Sequence, residues 1–510
     1  MQGGRQNVTL RRQDFAARNV LWRDTLTALP VKPPEPVRAE PPERVGLIAR
    51  TALTLTSFTE RWLPDAFIFA LLATLAVVVA AKVATSSPAA QVVDAWGRGF
   101  WELIPFTMQM ALIIITGHVL ATSPPMGRLI RAVASWPRSP RSAVAVVALF
   151  ALASAWINWG FSTIFSAVLG REMARRVPGV DYRALAAASV LGAGSIWAQG
   201  LSGSAALQMA TPGAVQPQIR DIVAHGGLVP GGLITFSHTI FLWQSFLSVA
   251  IEIVVVTTVM WLAAPPTGRG RTARDMGIDL GESELHPPPA KTRTPGAWLE
   301  QSPILTWLIV ATGTAYLIRY FLQAGEPLNA INLNILNFAF LMLGFLLHGT
   351  PARLMNAVQA ATPAVWAVIL QFPFYAGIAG IITATHLNAL LADSFVRVST
   401  HTTFPALVAI YSAVLGVFVP SGGSKWVIIA PYVMSAAHSL RVHLGWVVSS
   451  YDLGEALANL VQPFWMLPVL GLFQLKARDI MGYTFVVFLV LTPVVLILLT
   501  LLGRTLAYPF

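Results

Sequence analysis

The feature that most constrains this chain is a succession of apolar runs long enough to cross a bilayer. Phe67 to Ala84 and Tyr483 to Leu502 are two of them. A helix needs about 20 apolar residues to span a ~30 Å hydrocarbon core. Only 11% of the 510 residues are charged and 55% are hydrophobic, where a soluble domain carries about 25% charged residues. With a mean hydropathy of +0.64, lipid replaces water as the main solvent. Outer-membrane strands alternate in polarity over ~10 residues, and no such segments occur. The reading is an all-α polytopic membrane protein with the lipid bilayer as its surroundings.

Apolar segments fall near 64–83, 101–122, 142–170, 184–210, 234–263, 303–323, 330–349, 357–384, 402–438, 445–475 and 481–502. The net charge of +11 is explained by Lys and Arg in cytoplasmic loops, and no nucleic-acid partner is expected. The absence of Cys excludes disulfides, thiolate metal sites and cysteine nucleophiles. The opening MQGGRQNVTLRRQDF has no apolar h-region, so no cleaved signal peptide is expected. Residues 1–56, basic and then proline-rich, are expected to form a disordered cytoplasmic tail, with a polybasic anchor on anionic lipid as the alternative.

Charge also sets orientation. The 123–141 loop (Arg128, Arg131, Arg138, Arg141) and the 171–183 loop (Arg171, Arg175, Arg176, Arg183) are both basic and both expected inside. The segment between them, 142–170, then enters and leaves on one side. It reads as a re-entrant helical hairpin broken at Asn158-Trp159-Gly160. By the same count 264–302 is a flexible cytoplasmic linker and Lys476/Arg478 lie inside. That leaves 402–438 as a second hairpin, opening from outside, with its tip at Ser421 to Lys425. Three polar landmarks recur at one spacing: Gln109 and Gln371 are 262 residues apart, Asn158 and Ser421 are 263, and Gln199 and Gln462 are 263. The expected organisation is a first membrane repeat over 57–263 and a second over 324–510. The 303–323 connecting helix starts the second from the opposite side. An inverted repeat with broken helices is transporter architecture, with the site near the membrane midplane.

Four interruptions carry the chemistry: Asn158–Gly160, Gln199–Ser204, Pro420–Lys425 and Asn459–Pro463. Backbone groups freed in hydrocarbon need partners from protein, water or ligand. Glycines at 160, 200, 203, 422 and 423 allow positive φ and close backbone approach. The helix N-terminus after each tip offers N–H groups and a positive dipole end to a carboxylate. Carbonyls of the preceding helices, with the side chains of Asn158, Ser202, Ser421 or Asn459, suit a hard cation such as Na⁺. The plainer reading of any one break is a kink for helix packing; four at matched positions favour a site. Lys425 is the sharpest single residue, because an intramembrane charge is costly and usually functional. It pairs with a substrate carboxylate, stands in for a bound cation, or is a structural partner of Glu455. Glu455 is a candidate for proton or cation coupling. Trp156, Trp159, Trp197, Trp426 and Trp465 flank the breaks, as interface anchors or as walls of an apolar cavity, and Phe372/Phe374 are candidates to enclose an apolar tail. His118 and His238 can titrate near neutral pH.

The stretches WLPDAFIFALLATL, FTMQMALIIITGHVLATS, INWGFS, REMARRVPGVDY, QFPFYAGI, FVPSGG, QPFW and ARDIMGY resemble the short-chain fatty acid transporter family, over about residues 57–500. The family is grouped with the broader ion transporter superfamily. The resemblance implies uptake of short-chain carboxylates such as butyrate or acetoacetate across the bacterial cytoplasmic membrane, and no enzymatic activity. It implies two opposed hairpins, two unwound helices and an elevator-like movement. By that likeness Asn158, Gly160, Gln199, Ser202, Ser421, Gly422, Gly423, Asn459 and Gln462 line the site. Ser424-Lys425 departs from the family pattern, which has a third glycine and then an uncharged polar residue, and this puts Na⁺ coupling in question.

The combined expectation is a secondary transporter for short-chain monocarboxylates coupled to Na⁺ or H⁺. Asn158, Gly160, Gln199, Ser202, Ser421, Gly422, Gly423, Ser424, Lys425 and Gln462 are assigned to substrate. Asn158, Ser421, Glu455 and Asn459 are assigned to the coupling ion. No organic cofactor is expected, and a homodimer is a candidate assembly. The alternatives are a cation/proton antiporter using Asp452 and Glu455, a channel, or an intramembrane hydrolase pairing Ser202 or Ser421 with His118 or His238. A metalloprotease is excluded by the lack of HExxH.

Overall fold

Proline, serine and asparagine punctuate the apolar runs, and the helices begin where they stand. The computed structural model describes residues 66–266, 270–280, 294–325, 327–418 and 421–510. Among the described residues there are twenty-one α-helices and no strand. The first ten are α1 (Ala66–Ala84), α2 (Ala89–Phe100), α3 (Ile104–Ala121), α4 (Pro124–Val133), α5 (Pro140–Ile157), α6 (Trp159–Arg176), α7 (Tyr182–Val190), α8 (Ser204–Ala210), α9 (Pro217–Val223) and α10 (Trp243–Ala263). Then follow α11 (Pro295–Gln301), α12 (Pro303–Gln323), α13 (Leu333–His348), α14 (Pro351–Ala361), α15 (Trp366–Ala384) and α16 (Leu387–Val398). The last are α17 (Phe404–Phe418), α18 (Gly422–Leu440), α19 (Leu444–Ala458), α20 (Leu467–Phe473) and α21 (Ala477–Gly503). The expected 1–56 tail, residues 281–293 of the linker and Pro420 lie outside the described residues.

Among the described residues, five helices, α3, α5, α10, α12 and α21, are long and apolar enough to cross a membrane. A sixth span results if Val368–Ala384 and Leu387–Val398, bent by 81°, are one. The bend falls at His386, a non-glycine residue with φ 60°. The protein is therefore a multi-pass membrane protein. Helices α2, α4 and α16 occupy stretches with no apolar run of membrane length. Helix α2 packs along α15 by shedding side chains: a Cβ on Gly99 would lie 2.8 Å from the Ala376 carbonyl, and one on Gly380 would lie 2.5 Å from the Ala95 carbonyl. Close backbone approach through small residues is the usual way membrane helices associate.

The 142–170 segment breaks at one residue. Helix α5 ends at Ile157, Asn158 is extended (φ −159°, ψ 124°), and α6 starts at Trp159. The two helices fold back on each other, and Ser162 Oγ donates to the Ala151 carbonyl at 2.7 Å. The 402–438 segment also doubles back: the hydroxyls of Tyr411 and Tyr432 are 3.1 Å apart, and Lys425 Nζ donates to the Ser412 carbonyl at 2.7 Å. Its arms are splayed, and α19 packs along α17. The 184–210 segment unwinds between Val190 and Ser204, keeping only a 3₁₀ turn at Ile196–Gln199. The 445–475 segment is interrupted after Ala458 and resumes through a 3₁₀ turn at Phe464–Met466.

The linker is held over 270–280 rather than free. Arg271 N–H donates to Asp181 at 3.1 Å, Tyr182 N–H donates to the Arg271 carbonyl at 2.8 Å, and Arg175 donates to the Leu280 carbonyl at 2.6 Å. This part of the linker and the basic 171–183 loop share one face of the protein.

Candidate functional site

Asn158 stands where the first break was expected, and its amide is consumed by the break itself. Its Oδ1 caps α6 by accepting the Phe161 N–H at 2.8 Å, and its Nδ2 reaches the Ile113 carbonyl at 3.5 Å. A Cβ on Gly117 of α3 would lie 2.4 Å from that Oδ1, so the bare backbone of α3 makes room for the cap. The unwound segment of the first half is stitched to the same tip. Ser202 Oγ accepts the Trp159 N–H at 2.9 Å, and Leu201 N–H donates to the Trp156 carbonyl at 2.7 Å.

The glycines act by space, which corrects the expectation of positive φ. None of Gly160, Gly200, Gly203, Gly422 and Gly423 has a positive φ. A Cβ on Gly200 would lie 2.3 Å from the Trp156 carbonyl, and one on Gly422 would lie 3.0 Å from the Trp197 ring. Gly422 and Gly423 do not turn the chain; they form the first turn of α18, with Ser421 as its N-cap.

Lys425 is fully buried. Its ammonium is paired with Glu455, donates to the Ser412 carbonyl at 2.7 Å, and sits 5.5 Å from the centre of the Tyr451 ring. The ammonium is thus a counter-ion of Glu455, the pairing that was one of the roles open from sequence. Ser424 donates to Ser421 within the first turn of α18. Tyr451 hydroxyl donates to the Gly422 carbonyl at 2.5 Å. Asn459 Nδ2 donates to the Ala193 carbonyl at 2.9 Å, tying the two unwound segments together. Its Oδ1 accepts from Gln462 Nε2 at 2.8 Å, and Gln462 Oε1 accepts the Phe464 N–H at 2.8 Å. Asp452, fully buried, accepts the Ala205 N–H at 3.1 Å and the Ala206 N–H at 3.2 Å. Both oxygens of Asp452 are thus engaged within the protein, whereas Glu455 has its Oε2 against Lys425 and its Oε1 buried without a partner.

These elements enclose a cavity of about 490 Å³, counting its mouth. Trp159, Trp197 and Ser204 reach it from the first half, and Ser421, Gly422, Gly423, Glu455, Asn459 and Trp465 from the second. Met110 and Ile114 of α3 and Val368 and Phe372 of α15 complete the walls. Of the expected site residues, Ser421, Gly422, Gly423, Glu455 and Asn459 line the cavity. Asn158, Gly160, Gln199, Ser202, Ser424, Lys425 and Gln462 are not on its wall, and several of them hold the segments that form it. Of the five tryptophans, Trp159, Trp197 and Trp465 line the cavity, while Trp426 is packed on Tyr451 with ring centres 4.8 Å apart. Phe372 stacks on Phe106 at 5.6 Å. Phe374 departs from expectation and faces Phe67 and Phe100, each at 5.2 Å. The hydrogen bonds given to Ser202 and Ser421 involve no histidine, and His238 stacks on Phe510 at 4.0 Å.

Sequence reading left several wall residues unassigned, among them Met110, Ile114, Ala193, Val368 and Ser204, the last residue of the expected Gln199–Ser204 break. Glu252, fully buried on α10, holds the Nε2 of Gln199 at 2.6 Å. Its signal was present, as the one acidic residue in a long apolar run.

Similarity to known proteins agrees with this architecture. The model of the short chain fatty acid transporter family matches residues 47–502. A relative from Escherichia coli (strain K12), named for short-chain fatty acid transport, is 39% identical over 437 residues, covering 86% of this chain and 96% of its own. A Haemophilus influenzae relative with the same name is 34% identical over 451 residues, covering 88% of this chain and 99% of its own. Among solved structures, the Alcanivorax borkumensis YdaH transporter superposes with a TM-score of 0.53 at 14% identity, covering 87% of this chain and 98% of its own. Neisseria gonorrhoeae MtrF, described with a class of antimetabolite efflux pumps, superposes with a TM-score of 0.55 at 13% identity, covering 88% and 97%. At such identities these two speak for the fold alone. The family match over nearly the whole membrane portion, with two relatives above 30% identity along almost their full length, means that the chain belongs to the short chain fatty acid transporter family.

Proposed function

We propose that the protein is a secondary active transporter that moves short-chain monocarboxylates of the butyrate or acetoacetate kind across a bacterial cytoplasmic membrane, with its N-terminus inside. The observation that carries this reading is the single cavity into which both hairpin tips and both unwound segments open. A short-chain acid needs one charge matched and a few methylenes buried, each worth about 0.8 kcal/mol. Trp159, Trp197, Phe372 and Trp465 supply the apolar wall. The first N–H groups of α18 have no partner within the helix and lie at its positive end, on the cavity side at Gly422 and Gly423. Trp197 Nε1 is a further buried donor without a partner.

Alternation follows from treating the halves as an inverted repeat, with the hairpins gating one site from opposite sides as in an elevator-like transporter. The driving ion is H⁺ or Na⁺. For Na⁺, most of the oxygens assigned to it are engaged elsewhere: the Asn158 and Asn459 amides bond within the protein, Ser421 bonds to Ser424, and the Lys425 ammonium sits against Glu455 Oε2, leaving Glu455 Oε1 without a partner. The lysine thus stands where a monovalent cation would, which supports H⁺.

Full-length protein in liposomes is expected to accumulate labelled butyrate or acetoacetate under an H⁺ or Na⁺ gradient, after subtraction of the leak through protein-free liposomes. No saturable uptake of any C2–C6 carboxylate under either gradient would sink the reading. A second expectation concerns the wall. A Cβ at Gly423 would lie 3.1 Å from the Phe106 ring and 3.6 Å from Phe372, so Gly423→Val narrows the cavity against side chains that can shift. Uptake is expected to fall about tenfold or more, the factor that 1.4 kcal/mol of lost binding carries, with thermal unfolding little changed. Undiminished uptake would move the substrate away from the first turn of α18.

A further inference from the structure

Glu252 lies at the middle of α10, the span Trp243–Ala263. The helix buries one narrow stripe, Gln244, Ser245, Ser248, Glu252, Val256 and Met260. Glu252 Oε1 accepts from Gln199 Nε2 at 2.6 Å and from Ser248 Oγ at 2.9 Å. Its Oε2 is buried without a partner, and so is Gln199 Oε1. Among the described residues no cation pairs with it. The elements packed against α10 are α5, α7, α21 and the 3₁₀ turn at Ile196–Gln199. Their ionisable groups are Arg141 at the start of α5, Tyr182 and Arg183 at the start of α7, and Arg478, Asp479 and Tyr483 near the start of α21. All stand in the first two turns of their helices, and none bonds Glu252. Arg141 donates to the Ala264 carbonyl beyond the end of α10, and Arg183 pairs with Asp181.

An ionised carboxylate in mid-membrane with only neutral partners is costly. Glu455 shows the other solution, a buried lysine beside it. At Glu252 one proton does the same work. It removes the charge and turns Oε2 from acceptor into donor, while the amide held 2.6 Å away on Oε1 offers an acceptor that has no other partner.

We propose that Glu252 is a proton-binding site, held as a carboxylic acid in a two-bond acid–amide pair with Gln199, and that it couples H⁺ to the substrate cavity. Gln199 ends the 3₁₀ turn whose Trp197 lines the cavity and lies against Gly422. When the proton leaves to the aqueous side, the acceptors Glu252 Oε2 and Gln199 Oε1 are left facing each other with no proton between them, and the pair that anchors the Trp197 turn to α10 is weakened. The proton enters from one side of the membrane and leaves to the other, with no other bond made or broken. The proposal deepens the transport reading and rests on it.

The test uses full-length protein in liposomes with labelled acetoacetate. In Glu252→Gln, accumulation driven by a pH gradient is expected to fall about tenfold or more while substrate exchange at equal pH stays within about twofold. Glu252→Asp should retain gradient-driven accumulation with a displaced pH profile. In infrared difference spectra taken on raising the pH, the wild type should lose a carboxylic-acid C=O band that Glu252→Gln lacks and Glu252→Asp shifts. Gradient-driven accumulation by Glu252→Gln equal to wild type, or an unchanged infrared difference in either variant, overturns the proposal. A wild type that exchanges no short-chain acid overturns the transport reading instead, and the infrared comparison still decides whether Glu252 holds a proton.

Discussion

Replacing Lys425 by methionine is expected to cost about 3–5 kcal/mol of stability, the penalty for removing one partner of a buried ion pair, and to abolish uptake. Lys425 and Glu455 are both fully buried, and the ammonium is surrounded by Glu455, the Ser412 carbonyl, the Tyr451 ring and the bare backbone of Gly416. Methionine fills similar volume, so the loss reports the stranded Glu455 carboxylate rather than a cavity. The decisive comparison is Lys425→Met with Glu455→Gln in the same chain, which should recover most of the stability because neither partner is then charged. Thermal unfolding in detergent reads the first effect and liposome uptake the second. A single variant as stable as wild type, or a double variant worse than the single, would show that the pair does not act as a unit. Lys425→Gly extends the test to ion coupling, because it leaves room beside Glu455. If the ammonium fills the place of a cation, this variant gains Na⁺-dependent uptake; intact uptake with unchanged ion dependence makes the lysine structural only.

The class of fold was legible because lipid imposes a length and a composition that few other environments demand. The places where helices stop were legible for a related reason: Asn158, Gly200, Ser421 and Asn459 are polar or small in otherwise apolar surroundings. What those residues do once the helix has stopped was much less so. An asparagine that binds a ligand and one that caps the next helix look the same in sequence, and Asn158 turned out to spend its amide on Phe161 and Ile113. Glycines that turn a chain and glycines that admit a neighbour are likewise indistinguishable without the neighbour; Gly422 faces Trp197, from the other half of the protein.

Long-range partners account for the rest. The pairing of Lys425 with Glu455 was one of the roles weighed, since both fall near the second pair of breaks. Gln199 with Glu252 was not, because nothing in the run IEIVVVTTV points toward a loop 53 residues earlier. Helices α2, α4 and α16 were hidden by their length: each is 12 residues or fewer and apolar on only one side, so a search for membrane-length runs passes over them. Helix α2 nevertheless covers α15, whose Val368 and Phe372 form a wall of the cavity.

The second large effect is expected at Asp452, where alanine should lose about 1–3 kcal/mol for each buried N–H left unsatisfied. Helix α8 begins at Ser204, and its N-cap is Gly203, which has no side chain to cap it. The cap comes from the other half of the protein: Asp452 on α19 accepts the N–H groups of Ala205 and Ala206. Space for it exists because Gly203 is bare, since a Cβ there would lie 3.3 Å from Asp452 Oδ2. Asp452→Asn keeps an acceptor of nearly the same shape, and Asn caps about as well as Asp, so it should lose clearly less than alanine. The ordering wild type, Asn, Ala in thermal unfolding is the expected result, with uptake following stability. Equal stability of all three would mean that the carboxylate is not the cap. Asp452→Asn with wild-type stability and no uptake would mean that its charge serves transport, and would return the Asp452/Glu455 pair to the role of a paired-carboxylate ion site. The two outcomes separate cleanly because the cap depends on an acceptor, which Asn retains, whereas ion transport depends on a charge, which Asn does not.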